Sequence, residues 1–141
     1  MVEDPSLGPL ITFGLGGIHV EVIADVSVRV TPLTDRAAAA MVREIRGYPL
    51  LEGYRGHPSA DNEAICNVLL RVSRLVEEVP DIAELALSPI FVGSPGEGCR
   101  IADSRIRLAL PRREQAVRYT TASSLAVESP ITEGAAHDRD R

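Results

Sequence analysis

The chain has 141 residues, with 15 basic and 20 acidic side chains and a formal net charge of -5. All 15 basic residues are arginine, which excludes a Walker-type phosphate loop and Schiff-base chemistry because both need lysine. The acidic balance argues against nucleic-acid binding, and no apolar run is long enough to predict a membrane-spanning helix. The two cysteines are far apart and the first residues lack a signal-peptide pattern, so we expect a cytoplasmic protein with reduced thiols.

The first part of the chain is predicted to form β structure. Residues 10–13 are an apolar run that leads into a glycine-rich segment at residues 14–17, which is typical of a strand followed by a tight turn. Valines then alternate with polar residues from Val20 to Val30, the pattern of a half-buried strand. Because this run is long for one strand, a turn near Ala24-Asp25 is expected to divide it into a hairpin.

Two helices are predicted next. Thr34 is a suitable N-cap for a helix over residues 35–46, with an acidic residue at its first position. Ser59 or Asp61 can cap a longer second helix that runs to about residue 79. The predicted buried stripe of the first helix is Ala38, Met41, Val42 and Ile45. The apolar positions of the second helix fit helical spacing and are Ile65, Val68, Leu69, Val72, Leu75, Val76 and Val79.

The remaining ordered part is predicted to be a second hairpin. Two strand-like runs cover residues 84–92 and 99–110, and the turn-forming residues 93–98 separate them. Residues 112–141 lack periodicity and are predicted to be a disordered tail. The sequence therefore predicts a single α+β domain over residues 1–111, in which two helices back a largely antiparallel sheet.

Candidate binding residues lie first in the glycine-rich segment. Gly14, Gly16 and Gly17 can present backbone N–H groups to an anion. Because the next segment is a predicted strand and not a helix, a simple tight turn is the alternative interpretation. His19 and Glu21 share one strand face, which indicates either a metal pair or an ordinary solvated face.

Arg55 is a second candidate. It lies in a predicted loop over residues 48–57, between Gly53 and Gly56 and beside Tyr54. A guanidinium held in such a loop can clamp a phosphate or a carboxylate with its planar fork. The alternative is an arginine that bonds carbonyl groups of its own loop.

A third candidate site lies on the last predicted hairpin. Glu84 and Ser88 share one strand face, and Asp103 is expected across from them on the next strand. Oxygen ligands placed in this way can hold Mg²⁺ beside nucleotide phosphates, because Mg²⁺ then needs only one or two protein carboxylates. A polar sheet face that meets solvent is the alternative.

Taken together, these stretches resemble one family. They look like the C-terminal part of the ATP-grasp domain of ADP-forming (NDP-forming) acyl-CoA synthetases, which are related to the beta subunit of succinyl-CoA synthetase. The match covers about residues 4–110. The stretches that carry it, in chain order, are Asp4-Pro5, Gly8-Pro9, residues 13–18, Val20-Glu21, Asp25, Arg29, Pro32-Leu33, residues 50–56, residues 83–89 and residues 103–106.

The resemblance implies a fold and a reaction. ATP-grasp domains hold ATP and Mg²⁺ between two α+β lobes, and this chain corresponds to the second lobe. The family interconverts an acid, CoA and ATP with acyl-CoA, ADP and phosphate, through an acyl phosphate and a phosphohistidine. The residues implied are Asp103, Ser88 and Glu84 for the metal, Arg55 for phosphate, and Gly14, Gly16, Gly17 and Glu21 beside the nucleotide.

Two departures from the family pattern matter. The family usually has Asp and Asn where this chain has Ala86 and Ser88, and these are weaker metal ligands or none. The first lobe, with its lysines, and the phosphohistidine lie in segments that this sequence does not contain.

The implied partners are therefore the missing first lobe and a CoA-binding domain or subunit. Self-association through the uncovered surface is also expected. A degenerate lobe that acts as a non-enzymatic interaction or regulatory module is the alternative function.

Overall fold

The computed structural model describes residues 1–16 and 24–109. Gly17, His19, Glu21 and the predicted tail over residues 112–141 lie outside the described residues. The strands are β1 (Val2–Asp4), β2 (Gly8–Gly14), β3 (Val26–Val30), β4 (Ile82–Leu87), β5 (Ile90–Val92), β6 (Cys99–Ile101) and β7 (Ser104–Leu108). The helices are α1 (Asp35–Glu44), α2 (Tyr48–Leu51) and α3 (Asn62–Glu78).

In the described part of the chain, the main sheet has five strands in the order β3-β2-β1-β4-β7. Every neighbouring pair in it is antiparallel, and β5 and β6 form a separate antiparallel pair. This architecture confirms the predicted α+β fold with a largely antiparallel sheet.

The helices cover one face of the sheet. Ile11 of β2 is buried on that face, and Ser27 of β3 donates a hydrogen bond from Oγ to the Met41 carbonyl oxygen at 2.9 Å. Side chains alternate along a strand, so the neighbours of these residues lie on the opposite face, which we call the open face. The main core consists of Ile11, Ala38, Met41, Val42, Ile65 and Leu69.

The helix predictions are confirmed at their starts, and the first helix ends two residues earlier than predicted. The Ala37 N–H donates to Thr34 Oγ1 at 3.2 Å, so Thr34 caps α1, although α1 ends at Glu44. Asp61 and not Ser59 caps α3. The segment predicted as a loop from residue 48 begins with the single turn of α2, which has a proline in its first turn.

The two long predicted strands are each divided in two. The first divides between β4 and β5 at Ser88-Pro89, and the second between β6 and β7 at Ala102-Asp103. Proline has no N–H to give to a ladder, so regular pairing is interrupted at Pro89 and on the strand opposite. The short strand β1 was not predicted, because three residues carry too little alternation.

The turn expected near Ala24-Asp25 lies only partly within the described residues. Ala24 has a positive φ of 48° and β3 starts at Val26, while β3 pairs with β2. Within the part of the chain that the structure describes, no helix is both long and apolar enough to cross a membrane.

Candidate functional site

The residues predicted to bind a metal lie on or beside the open face of the sheet, on β4 and next to its end. Glu84 and Ala86 project from this face, and Thr12 of β2 lies on it as well, because it pairs with Val28. A shallow cavity of about 300 Å³ is lined by Thr12, Glu84, Ala86 and Ser88, together with Met1 and Val2. The cavity therefore lies at the end of β4, beside the break between β4 and β5.

Ser88 and Asp103 meet at that break. The Ser88 N–H donates to the Asp103 carbonyl oxygen at 3.2 Å, so the two residues lie opposite each other where β4 and β7 stop pairing. The Asp103 carboxylate is 54% exposed. A hydroxyl and a carboxylate are therefore presented to solvent from adjacent strands.

Glu84 is held apart from this pair. Its carboxylate Oε2 accepts a hydrogen bond from Arg107 Nε at 3.1 Å, in the pair formed by β4 and β7. Among residues 1–16 and 24–109, no group of three or more His, Cys, Asp or Glu side chains is placed to hold a metal ion. The structure thus brings Ser88 and Asp103 together. Glu84 is hydrogen-bonded in an ion pair with Arg107, whereas Asp103 forms a longer ion pair with Arg105, at 3.5 Å.

Gly14 and Gly16 border a second cavity, of about 220 Å³, between the sheet and α3. Ser88 and Leu51 also line it, so the glycine segment and the Ser88 break share one concavity. A Cβ at Gly14 would lie 2.7 Å from the Asp25 carbonyl oxygen, which only glycine tolerates. The close approach of two backbone segments therefore explains why residue 14 is a glycine.

Arg55 lines neither of the two cavities. Its φ is 50°, and those of Gly53 and Gly56 are 100° and 85°, so the loop turns through left-handed conformations. The guanidinium lies 5.4 Å from the centre of the Tyr54 ring. None of the hydrogen bonds between described residues uses this guanidinium, which gives no support to a role in bonding loop carbonyls.

Asp61 is a residue whose importance the sequence did not reveal beyond helix capping. Its Oδ1 accepts from the Ala64 N–H at 2.9 Å, and its Oδ2 accepts from the N–H groups of Gly96 and Gly98 at 2.9 and 3.0 Å. These backbone hydrogen bonds, first that of Ala64 and then that of Gly98, lower the pKa of the carboxyl. Asp61 thereby ties the β5–β6 turn to the start of α3.

Comparison with known proteins identifies the family. The family model that describes the ATP-grasp domain matches residues 1–108 of this chain. The chain belongs to the ATP-grasp family. This ATP-grasp chain has the sheet and helix arrangement that the resemblance implied.

Curated relatives of this ATP-grasp chain include ADP-forming CoA ligases. The beta subunit of the ADP-forming acetate–CoA ligase II of Pyrococcus furiosus is 49% identical over 109 residues, which are 77% of this chain and 46% of that subunit. The ADP-forming acetate–CoA ligase I of Archaeoglobus fulgidus is 48% identical over 96 residues, which are 68% of this chain and 14% of that protein. The chain thus spans about half of the first relative and a small part of the second.

Solved structures of related proteins also match this chain in both fold and sequence. A crystal structure from Pyrococcus horikoshii has a TM-score of 0.73 at 48% identity and is matched over 76% of this chain and 45% of its own. The dinucleotide-forming acetyl-coenzyme A synthetase 1 of Ca. Korarchaeum cryptofilum, in complex with coenzyme A and Mg-AMPPCP, has a TM-score of 0.72 at 42% identity, over 76% of this chain and 49% of that one.

Proposed function

We propose that this chain is the second ATP-grasp lobe of an ADP-forming acid–CoA ligase. The reaction converts an organic acid, CoA and ATP into acyl-CoA, ADP and phosphate. The observation that carries the proposal is the backbone hydrogen bond that places Ser88 opposite Asp103 beside the open face, in a chain that is 49% identical over 109 residues to a Pyrococcus furiosus ligase subunit. A site of this kind works mainly by positioning and by neutralising charge on the transferred phosphoryl group.

The oxygen atoms at the break suit Mg²⁺. Asp103 offers a carboxylate and Ser88 a hydroxyl, and these hard donors fit an ion that keeps several waters and binds only one or two protein carboxylates. When bound, Mg²⁺ would neutralise charge on the nucleotide phosphates. Glu84 would contribute only if its carboxylate left Arg107, so we assign it the lesser part.

The other predicted contacts remain part of the proposal. Gly14 and Gly16 would border the nucleotide through the concavity that they share with Ser88. Gly17 and Glu21, which lie outside the described residues, stay predicted nucleotide contacts on the strength of the resemblance. Arg55 would meet phosphate only if another segment or a partner brings the phosphate to its exposed loop.

The partners follow from what the second lobe lacks. A first lobe would cover the open face and supply the adenine site, and a CoA-binding domain or subunit would supply the acyl-transfer site. The exposed valines of β3, at 43% to 47%, give such a lobe an apolar surface to cover. A cytoplasmic location belongs to the same proposal.

The test uses the chain assembled with the segments encoded beside it. ATP formation from acetyl-CoA, ADP and phosphate is measured for the unchanged chain, for Asp103→Ala and for Asp35→Ala. We expect Asp103→Ala to lower the rate about 100-fold, the scale of losing one electrostatic contact to the transition state. Asp35→Ala, an exposed carboxylate at the start of α1, should retain the rate. Equal rates for Asp103→Ala and the unchanged assembly would reject the proposal.

A second function has one specific observation in its favour. Ala86 offers no ligand atom and Glu84 is already paired, so the lobe could serve as a non-enzymatic interaction module. Calorimetric titration of the assembly with Mg-ATP separates the two. An assembly that forms fully and binds no Mg-ATP would support the module, and micromolar binding would exclude it.

A further inference from the structure

Strand β7 places two arginines on the open face. In the register of the sheet, Arg105 lies opposite Ala86 and Arg107 lies opposite Glu84. Residues opposite each other in an antiparallel pair project to the same face. Both guanidinium groups therefore extend over the surface that also carries the Ser88–Asp103 pair.

The two arginines differ in their partners. Arg107 donates to Glu84 at 3.1 Å, so its charge is matched across the strands. Arg105 meets only the methyl group of Ala86 across the strands. Its Nε forms an exposed ion pair with Asp103 Oδ2 at 3.5 Å, a distance too long for a charge-assisted hydrogen bond.

Arg105 consequently keeps its hydrogen-bond donors available beside an exposed ion pair with Asp103. Its side chain is 84% exposed, and none of the hydrogen bonds between described residues uses it. The guanidinium presents up to five N–H donors in a planar fork that matches the oxygens of a phosphate. It lies two residues along β7 from Asp103, beside the break where the proposed metal ligands meet.

We propose that Arg105 binds a phosphate oxygen of a polyphosphate ligand, and that Ala86 is the residue that leaves it available. An aspartate at residue 86 would face Arg105 as Glu84 faces Arg107, and would hold the guanidinium in an ion pair. With alanine there, Arg105 supplies positive charge next to a site with few metal ligands. The identity of the ligand as a nucleotide rests on the proposed function; the arginine–phosphate contact does not.

The test is a titration of the full chain with inorganic pyrophosphate in metal-free buffer. Affinity is measured by calorimetry, and the Arg Nε–H resonances are followed by NMR. We expect the Arg105 resonance to shift, and Arg105→Gln to weaken binding about tenfold, the loss of a charge-assisted contact. Arg71→Gln makes the same change at an exposed position of α3, and this variant should bind pyrophosphate as tightly as the unchanged chain does.

The role of Ala86 has its own variant. Ala86→Asp should weaken pyrophosphate binding about as much as Arg105→Gln, because the new carboxylate pairs with Arg105. Ser104→Asp adds the same charge to the other face of β7 and should weaken binding much less. Equal losses in Ala86→Asp and Ser104→Asp would show general repulsion and would overturn the role of Ala86.

The outcomes separate this inference from the proposed function. Unchanged affinity in Arg105→Gln, or no pyrophosphate binding by the unchanged chain, overturns the arginine–phosphate contact even if Asp103→Ala abolishes ligase activity. Loss of affinity in Arg105→Gln supports the contact even if the assembly makes no ATP. Melting curves of each variant confirm that the fold is retained.

Discussion

At the scale of single residues, Asp61 shows how one carboxylate joins segments that are far apart in the sequence. It caps α3 through Ala64 and holds the turn between β5 and β6 through Gly96 and Gly98. The backbone N–H of Asp61 also donates to the Gly93 carbonyl oxygen at 2.8 Å. Because β6 leads directly to Asp103, this turn helps to place the proposed metal ligand.

The lowered pKa of Asp61 gives a prediction about acid stability. The folded chain keeps this carboxyl ionised at a pH where the unfolded chain protonates it, so the unfolded state binds more protons as the pH falls below the ordinary value of about 3.9. The stabilisation is therefore complete above that pH and is lost below it. Asp61→Asn should lower the melting temperature at pH 7 and reduce the loss of stability in that acid range.

The measurement is thermal unfolding by circular dichroism from pH 7 into the acid range. Asp35→Asn is the matched control, since Asp35 is an exposed carboxylate at the start of another helix. If Asp61→Asn lost as much stability on acidification as the unchanged chain does, the result would contradict the role given to this carboxyl.

At the scale of elements, α1 is stabilised by what it buries. Met41 and Ala38 have no exposed surface and Val42 is 2% exposed, while Ile11 from β2 completes their contact with the sheet. The same helix connects to β3 through the hydrogen bond from Ser27 to the Met41 carbonyl oxygen. Packing of this one face, and not helix propensity alone, keeps the ten-residue helix in place.

Met41→Ala should therefore cost stability. Removing a fully buried methionine side chain leaves a cavity and typically destabilises a protein by about 3 kcal/mol. Arg43→Ala, on the exposed side of the same helix, should change the free energy of unfolding by less than about 0.5 kcal/mol. Urea unfolding of both variants checks the difference, and similar midpoints would show that α1 does not anchor the core.

At the scale of the whole molecule, the two faces of the sheet differ. The helices cover one face, whereas the open face presents Val26, Val28 and Val30 at 43%, 43% and 47% exposure. A contiguous apolar surface of this kind marks an interaction site in proteins. We expect the isolated chain to self-associate through it.

Val28→Glu, in the middle of β3, should suppress that association by placing a charge on the apolar surface. Leu75→Glu changes an exposed apolar residue of α3, on the helical side, and should leave the association unchanged. Sedimentation velocity over a range of concentrations distinguishes them. A monomer at every concentration for the unchanged chain would refute the prediction.

The sequence predicted the helices better than the strands. The buried stripe of α1 and its cap at Thr34 depend on residues three or four positions apart, so the local pattern is sufficient. The divisions at Ser88-Pro89 and at Ala102-Asp103 depend on which strands pair, and pairing joins residues that are distant in the sequence. The candidate site depends on pairing in the same way. Glu84 shares a strand face with Ser88, as predicted, but the local pattern did not predict that its carboxylate pairs with Arg107.

By itself, the amino-acid sequence determined the α+β class, both long helices, the buried face of the first helix and the resemblance to the ATP-grasp family. These conclusions rest on periodicity, capping and ordered motifs, which are local properties. The tertiary structure alone decided that Glu84 pairs with Arg107, that Asp61 holds a distant turn and that Arg105 faces Ala86. Those contacts depend on strand order and register, which the alternation of side chains along one strand does not specify.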